Sequence, residues 1–179
     1  MKKLLVLTMI LASFFSYGQV KQVINKVSTV TNPVKLAYEK DEFTGKEYLF
    51  TETSLLVTND GKKGFKIYPT FKKDGENWIY AGISGISTIG SCFENDKIYI
   101  IFEDSSKFDM TSWRDFNCKG NISFDLYGKH GDELSKPMKG IKFQNGRDYT
   151  SFDKIFTSEN DKNYFINAFK ALDEYNSSH

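Results

Sequence analysis

Histidine and cysteine are scarce in this chain, with two of each among its 179 residues. A structural zinc site needs Cys and His at ligand spacing, and no pair here has it. A cysteine nucleophile would have only His130 or His179 to draw on as a base. Charge of one sign is missing as well: 24 Lys+Arg stand against 23 Asp+Glu, for a formal net charge of +1. Nucleic-acid binding domains carry a clear basic excess, and disordered chains have low hydrophobicity. At 40% hydrophobic and 16% aromatic residues, this chain fits neither class. Beyond the N-terminus no apolar run approaches the ~20 residues that a membrane-spanning helix needs.

What is present at the N-terminus is an export pattern. Met1-Lys2-Lys3 supplies a positive start and Leu4 to Ala12 an apolar run, and Ser16-Tyr17-Gly18 is a small-x-small cleavage site before Gln19. Residues 1–18 therefore read as a signal peptide, and residues 19–179 as a single β-rich domain without a transmembrane segment. No Cys stands at or just after the cleavage site, so lipid anchoring is not expected. The expected location is periplasmic or extracellular. In such an oxidising compartment Cys92 and Cys118 are expected to form one disulfide, with a chain-entropy effect of roughly 3–4 kcal/mol.

The mature chain reads mainly as antiparallel strands. Asn59-Asp60-Gly61 separates Ser54–Thr58 from Gly64–Tyr68, and Asp74-Gly75 separates Thr70–Lys72 from Trp78–Tyr80. Both are hairpin signals. Pro69 then needs an edge position or a bulge, because it has no N–H to donate. Gly82–Gly90 has apolar residues every third position and reads as a bulged strand or loop. Lys97–Phe102 is the strongest strand, apolar in both of its alternating sets, and pairs with Lys107–Met110; burial on both faces predicts a sandwich or a helix-covered sheet. Ile122–Leu126 alternates and should have one wet face. Asn145-Gly146 between Ile141–Phe143 and Tyr149–Phe152 predicts a type I′ turn.

Residues 158–175 contain no Gly or Pro, and Phe165, Ala168, Phe169, Leu172 and Tyr175 recur at helical spacing. A continuous helix is predicted there, with Ser158 and Asp161 in a capping arrangement. The fold class is α+β: successive antiparallel hairpins, sandwich-like or helix-covered, closed by a C-terminal helix. Residues 20–31 fit a short helix or an alternating strand equally well.

Lys97–Phe108, Thr111-Ser112-Trp113, Phe116–Asn121, the Ile141–Arg147 stretch and the Tyr164-Phe165 helix together resemble uncharacterised secreted bacterial proteins with a paired-Cys hairpin region. The resemblance spans roughly residues 90–175. It implies the disulfide and an exported bacterial setting, and no activity.

Few residues present themselves as chemistry. Gly82-Ile83-Ser84-Gly85 and Gly90-Ser91-Cys92 are not G-x-S-x-G elbows. Lys129-His130-Gly131-Asp132-Glu133 places an imidazole beside carboxylates but reads as a polar loop. Glu94-Asn95-Asp96 and Glu103-Asp104-Ser105 lack the EF-hand spacing and read as turns. No catalytic residue, metal site or cofactor follows from the pattern. Trp78, Tyr80, Tyr99 and Trp113 are the candidate ligand-binding residues, as an aromatic platform. The residues point to a non-enzymatic binding module of the bacterial cell envelope with a protein or carbohydrate partner and no nucleic acid. A secreted hydrolase using carboxylates or the His130 loop, and a structural envelope component, are the alternatives.

Overall fold

Short turns built from Asp, Asn and Gly organise the chain into hairpins. In the computed structural model, which describes residues 34–58, 64–87, 92–112, 118, 120–125 and 131–179, the first is β1 (Leu36–Lys40) with β2 (Glu47–Thr51). Asp41 makes that turn: its Oδ1 accepts the N–H groups of Phe43 at 2.9 Å and Thr44 at 3.0 Å, and Gly45 takes φ +67°. Strand β3 (Leu55–Thr58) pairs with β4 (Gly64–Asp74), and β4 with β5 (Asn77–Ser87) across Gly75, at φ +63°. Then come β6 (Lys97–Phe102), β7 (Lys107–Thr111), β8 (Asn121–Asp125), β9 (Met138–Gln144) and β10 (Ser151–Ile155). Two helices, α1 (Glu159–Lys162) and α2 (Tyr164–Ser178), follow. The predicted signal peptide, residues 20–31, the Asn59–Gly61 turn, residues 88–91, Trp113 and His130 lie outside the described residues.

The strands form two antiparallel sheets, as expected for the α+β class. One is six-stranded in the order β1-β2-β4-β5-β8, with β3 also on β4; the other is four-stranded, β10-β9-β6-β7. The long strand β4 is shared along one edge by β3 at Leu55↔Ile67 and β2 at Phe50↔Thr70. Pro69 sits in the gap between them, next to a register shift at Thr70/Phe71 that leaves Ala81 of β5 without a partner. The missing N–H is thus accommodated at a bulge. Gly82–Ser87 is regular strand, and the irregularity falls just before it.

Alternation places Phe65, Ile67, Phe71 and Lys73 on one face of β4, and register adds Tyr80 and Trp78 of β5. This face is covered twice. At the Phe65 end lies the four-stranded sheet, where Phe65 meets Phe143 at 3.4 Å and Phe152 at 5.9 Å between ring centroids. At the Tyr80 end lies α2, whose Phe169 stands edge-on to Tyr80 at 4.9 Å. Sandwich-like and helix-covered packing therefore coexist on one sheet.

Three local expectations change. In β6 only the set Ile98, Ile100 and Phe102 is buried; Ile101 on the opposite side is 38% exposed. The helix does not run unbroken: Asn163, at φ −96° and ψ 13°, separates α1 from α2, and Ser158 makes no side-chain cap. The break lets Tyr164 enter the core, where its hydroxyl donates to the Thr53 carbonyl and lies 2.8 Å from Thr51 Oγ1. Third, Asn145-Gly146 is not a two-residue turn. The Asn145 side chain is consumed by the loop itself, Oδ1 accepting from the Arg147 and Asp148 N–H groups while Nδ2 donates to the Cys92 carbonyl at 2.9 Å. Gly146 is required for close approach, since a Cβ there would fall 2.1 Å from the Glu94 carbonyl oxygen.

Asp96, beneath that loop, accepts the Gly146 N–H at 3.0 Å and is buried. Burial pushes its carboxyl above the ordinary aspartate range despite the backbone hydrogen bonds. A raised folded value means that the folded state binds the proton more tightly than the unfolded chain. Its contribution is greatest in acid and is lost as pH rises through that value. Asp96→Asn is therefore expected to raise the thermal midpoint near neutral pH and to leave it unchanged in strong acid. Thermal melts of both proteins across that range check this; a lower midpoint for the amide at neutral pH would contradict it.

Candidate functional site

The helix-covered face of the six-stranded sheet outruns its helix. Strands β4 and β5 are eleven residues each, and their hairpin end brings Lys73 and Trp78 to the last turn of α2. A groove of about 580 Å³ opens there, between Leu36 and Tyr38 of β1 and Tyr175, Asn176 and His179 of the helix end, with Glu76 on its rim.

Beside it runs a row of side chains across four strands, of which Lys73 and Trp78 line the groove. Lys40 of β1 lies 3.9 Å from Glu47 of β2, Glu47 lies 2.9 Å from Lys73 of β4, and the Lys73 ammonium sits 5.9 Å from the centre of the Trp78 ring of β5. The Lys73 hydrogen bond lowers the Glu47 carboxyl, and Glu47 in turn raises Lys73. The Tyr38 hydroxyl also hydrogen-bonds Glu47; desolvation and this carboxylate raise its pKa. All three groups keep their usual charge states at neutral pH.

Rings flank the row. Tyr38 is 48% exposed and stands edge-on to Trp78 at 6.2 Å. Across the groove, Tyr175 and His179, one helical turn apart, stack at 4.2 Å with 9° between their planes. Asn176 fixes the helix end to the strand: its Oδ1 accepts the Trp78 N–H at 2.9 Å and its Nδ2 donates to the Trp78 carbonyl at 2.8 Å. The side-chain amide thus completes the edge of β5 beyond the reach of β8, which pairs only with Gly82–Ile86.

The three described aromatic candidates are not brought together, and Trp113 lies outside the described residues. Trp78 lines the groove but is only 5% exposed. Tyr80 lies under α2; burial pushes its hydroxyl well up, and it has no hydrogen-bond partner among the described residues. Tyr99 belongs to the other sheet, with its hydroxyl 3.5 Å from Gln144 Oε1. Tyr38, Lys73 and Tyr175 escape the sequence reading as site residues. The one signal in the residues is Tyr175, which the helical stripe assigns to the core as its last member.

The other candidates have structural roles. Cys92 and Cys118 are joined in a disulfide. Asp104 Oδ1 accepts from the Ser106 N–H, and its Oδ2 pairs with Lys136 at 2.8 Å, so the Glu103–Ser105 segment is turn chemistry. Asp132 and Glu133 are exposed in the turn 131–134. Among the described residues no group of three or more His, Cys, Asp or Glu side chains could hold a metal ion. Ser178 touches His179 at 3.0 Å, but the hydroxyl also bonds the Glu174 and Tyr175 carbonyls as a helix-end serine does. No helix of the described residues is long and apolar enough to cross a membrane. Comparison with protein-family models, with curated proteins and with solved structures finds no match to this chain.

Proposed function

We propose that this protein is an exported, non-enzymatic binding module of the bacterial cell envelope that takes its ligand in the groove at the end of α2. The observation that carries the reading is the set of rings lining the groove, Tyr38 with Trp78 and Tyr175 with His179, beside the Lys73 ammonium. Such a surface offers apolar contact and a few placed polar groups, the usual composition of a ligand site. The disulfide is compatible with an oxidising compartment, which supports export.

Intact mass of the protein purified from its native envelope fraction tests export, with a chain beginning at Gln19 as the expected product and a chain retaining residues 1–18 as the contrary one. Binding is tested by passing envelope polysaccharide and protein fractions over the immobilised mature chain. Retention is expected, reduced about tenfold in affinity by Tyr38→Ala and unaltered by Tyr149→Ala, a residue 73% exposed in the β9–β10 loop. Retention indifferent to Tyr38 would move the site elsewhere, and no retention at all would remove the reading.

A further inference from the structure

We infer that the groove is a carbohydrate site, taking a short neutral segment of an oligosaccharide. The inference rests on the reading of the groove as the ligand site and specifies its ligand class.

Three features select a sugar. The exposed rings of the lining are Tyr38 and His179, the latter stacked on the half-buried Tyr175. A pyranose presents an apolar C–H face to such a ring and turns its hydroxyls sideways. Sideways here lie Glu76 and Lys73, the latter paired with Glu47 and with a side chain 48% exposed. A carboxylate next to an ammonium offers an acceptor and a donor side by side, which matches a pair of neighbouring hydroxyls. The lysine and glutamate of the lining also balance, Lys73 against Glu76, so this pair favours neither an anion nor a cation over a neutral ligand.

The same residues disfavour a peptide. Strand addition needs free backbone N–H and C=O groups, and at Trp78 the Asn176 amide already occupies both. An amphipathic helix needs an aliphatic trough, whereas Leu36 is the single aliphatic side chain lining the groove. The volume of about 580 Å³ lies within the range of roughly 300–1,000 Å³ usual for small-ligand sites.

The test is titration of the isotope-labelled mature protein, followed by amide and side-chain NMR, with three probes: neutral β- and α-linked gluco-oligosaccharides and chito-oligosaccharides, an oligogalacturonate as anionic sugar, and a mixed-sequence peptide library. Shifts at Tyr38, Trp78 and Tyr175 are expected with a neutral oligosaccharide. Tyr38→Ala and Tyr175→Ala should each weaken that binding about tenfold, and Tyr38→Phe, which keeps the ring, by less. Lys73→Ala, at a half-exposed residue of the lining, serves as a second variant should a tyrosine replacement disturb folding. Shifts at the same residues with peptide or oligogalacturonate alone would overturn the neutral-sugar assignment while leaving the groove a ligand site. Groove resonances unmoved by every probe, in a protein that still retains an envelope fraction, would overturn it too and place the ligand site elsewhere.

Discussion

Phe65→Ala is expected to lower the stability of the fold by about 3–5 kcal/mol, the upper range for truncating a buried aromatic. Phe65 is fully buried in β4 at the junction of the two sheets, touching Phe143 of β9, Phe152 of β10 and Phe93 in the crossover before β6. Removing its ring leaves a cavity bounded by three other rings, each held by its own strand or crossover, so collapse can recover little of the lost contact. The replacement Phe43→Ala is the natural control: Phe43 is 95% exposed in the β1–β2 turn, and its change should stay within about 0.5 kcal/mol. Urea unfolding checks both, as a shift in midpoint at unchanged slope. A small loss for Phe65→Ala would mean that the sheets are held together elsewhere than at this cluster.

The parts of this architecture that could be read from residues are those in which local preference and burial agree. Lys97–Phe102 is β-branched and aromatic throughout, and Asp74-Gly75 provides the positive φ that its hairpin needs. Strand β1 was not legible, because Leu-Ala-Tyr-Glu-Lys has neither strand composition nor alternation; it is held extended by pairing with β2 along its whole length. Asn145-Gly146 misled for a related reason. A dipeptide signals a turn only through its own backbone, whereas here the Asn side chain and the space for Gly are claimed by Cys92, Glu94 and Asn95, which are distant in sequence. The break at Asn163 likewise follows from the buried seat of the Tyr164 hydroxyl at the β2–β3 corner, invisible to helical periodicity.

The groove shows the same limit at a functional level. Strand alternation puts Trp78 and Tyr80 on one face of β5, but which end of that face α2 covers depends on where the helix stops. Tyr80 is covered, and Trp78 reaches only the margin. The exposed ring beside it comes from β1, and the ammonium over it from β4. A site assembled from three strands, a turn and a helix end has no local spacing for a motif to reveal.

Opening the Cys92–Cys118 disulfide, as the Cys92→Ser/Cys118→Ser double variant, is expected to cost about 3.5 kcal/mol on the chain-entropy relation for a loop closed across 26 positions. The position of the bridge explains why so much rests on it. The chain leaves the six-stranded sheet after β5, forms β6 and β7 in the four-stranded sheet, and returns to add β8 beside β5. Cys92 lies in the outgoing crossover and Cys118 in the returning one, so the bond ties together the two connections between the sheets. In its absence the unfolded chain must close the β5–β8 pairing around a free excursion of the whole β6–β7 hairpin, at the full entropy of that loop. The Cys92 carbonyl is held separately by Asn145, so the outgoing crossover keeps one anchor when the sulfur bond is gone. The folded structure should therefore survive with a lower urea midpoint, and the folded double variant should retain the groove, which lies on the other end of the sheet and shares no residue with the crossovers. Equilibrium unfolding of wild type and double variant measures the difference. An unchanged midpoint would show that the Asn145 anchor and the Phe65 cluster already fix the crossovers without the covalent tie.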